Sequence, residues 1–97
     1  MAGYRLSRKA EERLAEIYAY SLLTFGETQA DLYFDSLHHA FELLQANSAL
    51  GKALERRANM RCFVHRRHTI YYVSDETSIL VLDNLGAGQD TFKYLQR

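Results

Sequence analysis

The spacing of apolar residues changes once along this chain, and that change restricts the fold more than any other feature. From Ala10 to Leu44 apolar side chains recur every three to four positions; after Asn59 they gather in short runs rich in β-branched and aromatic residues. A chain that is helical first and strand-forming later makes a two-layer α+β domain rather than an alternating α/β one. Its 97 residues suit a single domain spanning 1–97.

The local signals fill in the order. Tyr4-Arg5-Leu6 reads as a short strand, and Ser7 is a good N-cap followed in the first turn by Glu11 and Glu12, where carboxylates suit the helix dipole. Ala10, Leu14, Ile17, Tyr18, Ser21, Leu22 and Phe25 then form one face of a first helix, with Arg13, Glu16 and Tyr20 largely outside it. Gly26 stops that helix. A second begins at Glu27 and carries Ala30, Tyr33, Phe34, Leu37, Phe41 and Leu44 on one face. So short a connection predicts an antiparallel helical hairpin. Residues 49–59, with Gly51, read as a loop or a short helical turn. Three strands follow, Met60 to His65, Thr69 to Val73 and Ile79 to Asp83, joined closely enough to form an antiparallel meander. Gly86 and Gly88 break the pattern, and Asp90 to Arg97 read as a terminal turn with Phe92 and Leu95 packed inward. The expected architecture is β-α-α-β-β-β: a short N-terminal strand and a helical hairpin packed on a three-stranded antiparallel sheet.

Charge is balanced in total but not in place. Twelve basic side chains match twelve acidic ones, yet residues 1–48 carry four basic against seven acidic and residues 49–97 carry eight basic against five acidic. The excess is concentrated where Lys52, Arg56, Arg57, Arg61, Arg66 and Arg67 face only Glu55, with His65 and His68 beside them. A focused positive surface favours an anionic partner, either nucleic acid or an acidic protein segment; a solvated loop and hairpin is the plainer alternative. No apolar stretch reaches the ~20 residues of a membrane span, and no apolar segment of signal-peptide type follows the first basic residues. With a lone Cys62, a cytoplasmic location is expected.

Most catalytic constellations fail on residue types and spacing. Gly86-Ala87-Gly88 lacks the lysine of a phosphate loop, and the acids are expected on polar helix faces or in turns, hence solvated. His38 and His39 point about 100° apart on a helix, so no metal is expected, and no cofactor. Cys62 and His65 fall on opposite faces of a strand, which leaves Cys62 a packing residue. What survives is Arg61, His65, Arg66, Arg67, His68 and Tyr71 or Tyr72, with Lys52, Arg56 and Arg57. These groups suit phosphate binding and acid–base cleavage of RNA, and they suit gripping acidic protein side chains equally well.

Several local motifs resemble the ParE toxins of the RelE/ParE superfamily, the toxic halves of type II toxin-antitoxin modules. Leu14, Ile17 and Tyr20 resemble the family's first-helix run, Gly26, Ala30 and Tyr33 its helix junction, and Ser48-Ala49-Leu50-Gly51-Lys52 the end of helix two. Arg61 falls at a frequent arginine, and His68, Ile70 and Tyr72 resemble the central strand. Two departures stand out. Ser48 replaces a usual proline, and the C-terminal segment carries Asp83 where a base is usual, Gly86 where histidine is, and Gly88 where a further base is. The resemblance implies a non-enzymatic toxin that inhibits DNA gyrase by protein contact and is neutralised by a ParD-like ribbon-helix-helix antitoxin, DNA being reached only through that antitoxin. Lys52, Arg56, Arg57, Arg61, Arg66, Arg67 and His68 are then the expected target-binding residues, and the exposed Tyr20 and Leu32 the expected antitoxin anchors. Two alternatives stay open. One is a RelE-like ribosome-dependent mRNA endonuclease using Arg61, Lys52 and His68, and the other a degenerate toxin kept as an antitoxin-binding module.

Overall fold

The computed structural model describes residues 3–54 and 57–86, with backbone alone at 57 and 58. The element order is β1 (Tyr4–Leu6), α1 (Arg8–Phe25), α2 (Glu27–Ala46), a 3-10 turn (Ser48–Leu50), β2 (Lys52–Leu54), β3 (Arg57–His65), β4 (His68–Ser74) and β5 (Ile79–Gly86). The expected terminal turn from Asp90, with Phe92 and Leu95, lies outside the described residues, as do Gly88 and Arg56.

The helices start and stop where local chemistry places them. Ser7 is extended and its hydroxyl accepts from the Ala10 N–H, satisfying one of the orphan donors of the first turn. Gly26 serves both helices: its N–H donates to Leu22 O, its carbonyl accepts from Ala30 N–H, and its φ of 93° is one that side chains resist. The hairpin lies on one face of the sheet. Ala10, Leu14 and Ile17 from α1 and Leu37, Ala40, Phe41 and Leu44 from α2 bury against Ile70, Tyr72, Ile79 and Val81. Full burial of a side chain such as Phe41 stabilises by roughly 2–3 kcal/mol. Helix one is apolar beyond its buried stripe, so Leu22, Leu23 and Phe25 remain exposed although the period placed Leu22 and Phe25 inside.

Among the described residues the sheet has five strands, in the order β1-β5-β4-β3-β2, rather than the expected three. It is mixed: β1 runs parallel to β5, pairing Tyr4 with Ile79 and Leu6 with Val81, while the other pairs are antiparallel. Lys52–Leu54, expected in a loop, forms an edge strand against Cys62, Arg61 and Arg57. Three residues with no apolar alternation carry no strand signal of their own; the neighbouring strand imposes the conformation. Strand β3 starts at Arg57 rather than Met60, and β5 continues past Asp83 to Gly86. A register shift between Tyr71 and Tyr72 leaves Leu82 as the extra residue on β5, and a second apolar cluster of Leu54, Met60, Tyr71 and Leu85 forms beside the main core.

The acids are not all solvated. Asp83 is 1% exposed and takes two hydrogen bonds from the Arg13 guanidinium, at 3.0 and 3.3 Å. Arg13 is therefore turned toward the sheet, and hydrogen bonding to Asp83 raises its pKa. The expectation failed because a strand buries every second residue whatever its charge, provided a partner meets it.

Candidate interaction surface

A groove of about 700 Å³ running along α1 draws together four of the sequence candidates, Tyr20, Arg66, Arg67 and His68. Its α1 wall is Arg13, Glu16, Ile17, Tyr20, Ser21 and Phe25; the far wall is the β3–β4 turn, with Arg66, Arg67 and His68. Tyr33 of α2 and Gly86 of β5 complete the floor. The far wall exists because β3 and β4 pair out to His65 and His68, so that two residues make the turn. Arg66 takes a φ of 55°, a left-handed conformation that costs a non-glycine residue roughly 1–2 kcal/mol.

Contacts to the helices hold that turn in place. The Tyr33 hydroxyl lies 2.6 Å from His68 Nδ1 and 3.4 Å from His65 O. Ser36 Oγ lies 3.0 Å from His65 Nε2 and donates its one proton to Tyr33 O at 2.8 Å. The His65 ring is therefore the donor, which fixes its proton on Nε2. Arg67 sits 5.7 Å over the Phe25 ring, and Phe25 meets Tyr20 edge-on. Burial lowers the pKa of His65, helped by Arg66; burial also lowers that of His68, helped by His65 and Arg67. Burial raises that of Tyr33. At neutral pH the far wall thus presents two arginines beside two uncharged imidazoles.

The remaining basic candidates stand elsewhere. Arg61 is four residues along β3 from His65, about 13 Å by strand rise. Its Nη1 donates to Gly51 O at 2.6 Å. It belongs to a lock in which the Tyr72 hydroxyl donates to Ser48 O at 2.7 Å and accepts from Gly51 N–H at 2.9 Å. A side chain at Gly51 would collide with that hydroxyl and approach Cys62 O to 2.9 Å. Lys52 is exposed on β2, opposite Cys62 in register. Burial raises the Cys62 thiol pKa, against a smaller effect of Lys52, so it is no activated nucleophile. Arg61, Lys52 and His68 therefore do not converge, and Arg57 is placed by its backbone only. Of the expected antitoxin anchors, Tyr20 lines the groove and is 63% exposed, whereas Leu32 is exposed but outside it.

Sequence reasoning did not single out Arg13, Phe25, Tyr33 or Ser36 for this surface. Tyr33 and Phe25 fit the buried stripes, and only the packed hairpin reveals that they face the turn. His38, the discarded metal candidate, hydrogen-bonds the Tyr4 hydroxyl at 2.6 Å between Phe34 and Phe41.

The comparisons with known proteins agree with this architecture. Residues 4–90 match the family described as the ParE toxin of the type II toxin-antitoxin system parDE. The chain is 33% identical over 73 residues to Toxin ParE1 of Caulobacter vibrioides, covering 74% of this chain and 76% of that one. It is 32% identical over 94 residues to Toxin ParE1 of Mycobacterium tuberculosis, covering 95% and 96%. Among solved structures, a chain of the chromosomal ParDE system from P. aeruginosa superimposes with a TM-score of 0.72 at 18% identity, covering 89% of this chain and 96% of that one, a likeness of fold. With an arginine-walled groove on a helical hairpin and mixed sheet, and a family match spanning nearly its whole length, this chain belongs to the ParE toxins of type II toxin-antitoxin systems.

Proposed function

We propose that this chain inhibits DNA gyrase by protein–protein contact, acts in the cytoplasm without enzymatic chemistry, and is neutralised by a ParD-type antitoxin. The observation that carries the reading is the family match over residues 4–90. The Arg61 geometry supports contact over catalysis: a guanidinium bound to Gly51 O, about 13 Å along the strand from the histidine turn, is poorly placed to share one phosphate with His68. Target contacts are drawn from Lys52, Arg56, Arg57, Arg61, Arg66, Arg67 and His68, and Tyr20 and Leu32 serve as antitoxin anchors.

A supercoiling assay with purified gyrase tests the target. Micromolar toxin is expected to block supercoiling, and unimpaired enzyme removes the gyrase assignment. Ribosome-bound message incubated with the protein is expected to stay intact; cleavage abolished by Arg61→Ala favours the endonuclease instead.

One observation favours a second reading, a toxin kept as an antitoxin-binding module. Asp83 stands where the resemblance places a base, and it is buried against Arg13, so this position presents no cation to a target. Harmless overexpression combined with tight antitoxin binding selects that reading.

A further inference from the structure

The opposite flank of α1 carries a second groove of different character. It opens between α1 and α2 with a volume of about 610 Å³, floored by Leu14, Tyr18, Phe34 and His38 and rimmed by Glu11 and Asp31. Leu14 is buried, the three rings are half-buried and both carboxylates are exposed. The floor is fixed by its own contacts. Tyr18 meets Phe34 edge-on at 5.5 Å, and its hydroxyl donates to Asp31 Oδ1 at 2.6 Å. The His38 ring lies 4.8 Å from that of Phe34, and its Nδ1 is 2.6 Å from the Tyr4 hydroxyl. Tyr18 thus orients the Asp31 carboxylate while occupying one of its roughly four acceptor sites.

Aromatic faces beside carboxylates suit a cation, and a guanidinium better than an ammonium: it is planar, stacks on rings, forks onto carboxylates and sheds water more readily. The chain presents such a group itself. Arg66 and Arg67 are exposed on the two-residue β3–β4 turn, which projects beyond the paired His65 and His68. Tyr33 on His68 and Ser36 on His65 hold the turn, so offering its arginines to a neighbour costs little ordering. The wider charge distribution agrees. The groove lies in the half with four basic against seven acidic side chains, and the turn in the half with eight against five.

We propose that the groove between α1 and α2 receives the Arg66–Arg67 turn of a second copy of this chain, with a guanidinium on Tyr18 and Phe34 and hydrogen bonds to Glu11 and Asp31. Turn and groove lie on different flanks of α1, Tyr20 facing the one and Tyr18 the other, so the contact is heterologous. Each copy gives its turn to one neighbour and receives the turn of another, and two copies leave one turn and one groove unused. A single turn in a groove buries less than the roughly 1,200 Å² of a stable interface, so self-association is weak, with a Kd on the order of 100 µM. The consequence rests on the toxin reading above, in which Arg66 and Arg67 are target contacts: a seated turn is covered, and concentrated free toxin is held from its target.

Sedimentation of the purified full chain from about 10 to about 500 µM at low salt tests the contact. The average mass is expected to rise with concentration and to return to that of the monomer in about 0.5 M salt. Glu11→Gln/Asp31→Asn and Arg66→Gln/Arg67→Gln, each with an unchanged thermal transition, are expected to self-associate at least about tenfold more weakly. Mixed in equal amounts they are expected to form a heterodimer and nothing larger, because one supplies an intact turn and the other an intact groove. Glu12→Gln/Asp35→Asn makes the same charge change at exposed positions outside the groove and is expected to associate as the wild type does. A monomeric wild type, undiminished association in either variant, no heterodimer in the mixture, or an equal loss in the Glu12/Asp35 control overturns the proposal. Self-association in a chain that does not arrest growth leaves the contact standing and overturns the toxin reading; growth arrest by a chain that stays monomeric does the reverse.

Discussion

The middle of strand β3 and the turn that ends it carry the same kind of side chain and use it differently. In the middle, Arg61 is bound to Gly51 O beside a Tyr72 hydroxyl shared between Ser48 and Gly51, and the turn before β2 is fixed by buried bonds. At the strand's end Arg66 and Arg67 are exposed on a turn with a left-handed Arg66, Arg67 lying over the Phe25 ring, and the turn is held through half-buried histidines. An arginine's position in the sequence therefore does not define its role. The backbone carbonyls within reach do: where one is presented, the guanidinium becomes part of the frame, and where none is, it stays available to a partner.

The contrast is most easily broken at the locked end. Gly51→Ala inserts a methyl against the Tyr72 hydroxyl and Cys62 O, and is expected to lower unfolding free energy by about 3 kcal/mol in urea melts, because both overpacking and the Tyr72 bonds are at stake. A change of the opposite sign is expected near the turn. Asn84 is fully buried and, among the described residues, neither amide atom of its side chain has a hydrogen-bond partner; it pairs in register with Ile70. Asn84→Leu is expected to raise stability by about 1–2 kcal/mol, measured in the same melts. Tyr33→Phe removes the hydroxyl facing His68 and is expected to cost about 1 kcal/mol, with hydrogen exchange accelerating at Arg66 and Arg67 but not at Lys52–Leu54.

The smallest effect is one of pH. Both histidines have their pKa lowered from the ordinary 6.5 in the folded chain, so the unfolded chain takes up protons first as pH falls. Their contribution to stability is therefore complete above pH 6.5 and is lost as the pH drops through the lowered folded values. Amide NMR signals of the Arg66–Arg67 turn are expected to broaden or shift in that window, while those around Gly51 hold steady.

Legibility in the sequence followed the range of the interactions. Helix faces were readable because Leu14, Ile17, Leu37, Phe41 and Leu44 repeat at the helical period, and Ser7 and Gly26 mark the helix ends by local chemistry. Strand β2 was not readable, since Lys52-Ala53-Leu54 acquires its conformation from β3. The parallel pairing of Tyr4 with Ile79 joins residues so far apart that no local pattern records it. The basic candidates were legible as a composition, but their division into a locked end and an open end depends on Gly51 O, Tyr33 and Ser36, which only the packed hairpin brings near. Asp83 was misjudged for the same reason, because Arg13 reaches it from seventy positions away.

The proposed antitoxin anchor Tyr20 lines the groove along α1, well away from the Gly51 lock. Amide chemical-shift mapping of the full chain titrated with purified antitoxin tests it most directly. The largest perturbations are expected at Ile17, Tyr20 and Phe25 along the groove, with Gly51 to Leu54 and Arg61 nearly unmoved. Perturbations concentrated on Gly51 to Leu54 and Arg61, with the groove unchanged, would contradict it.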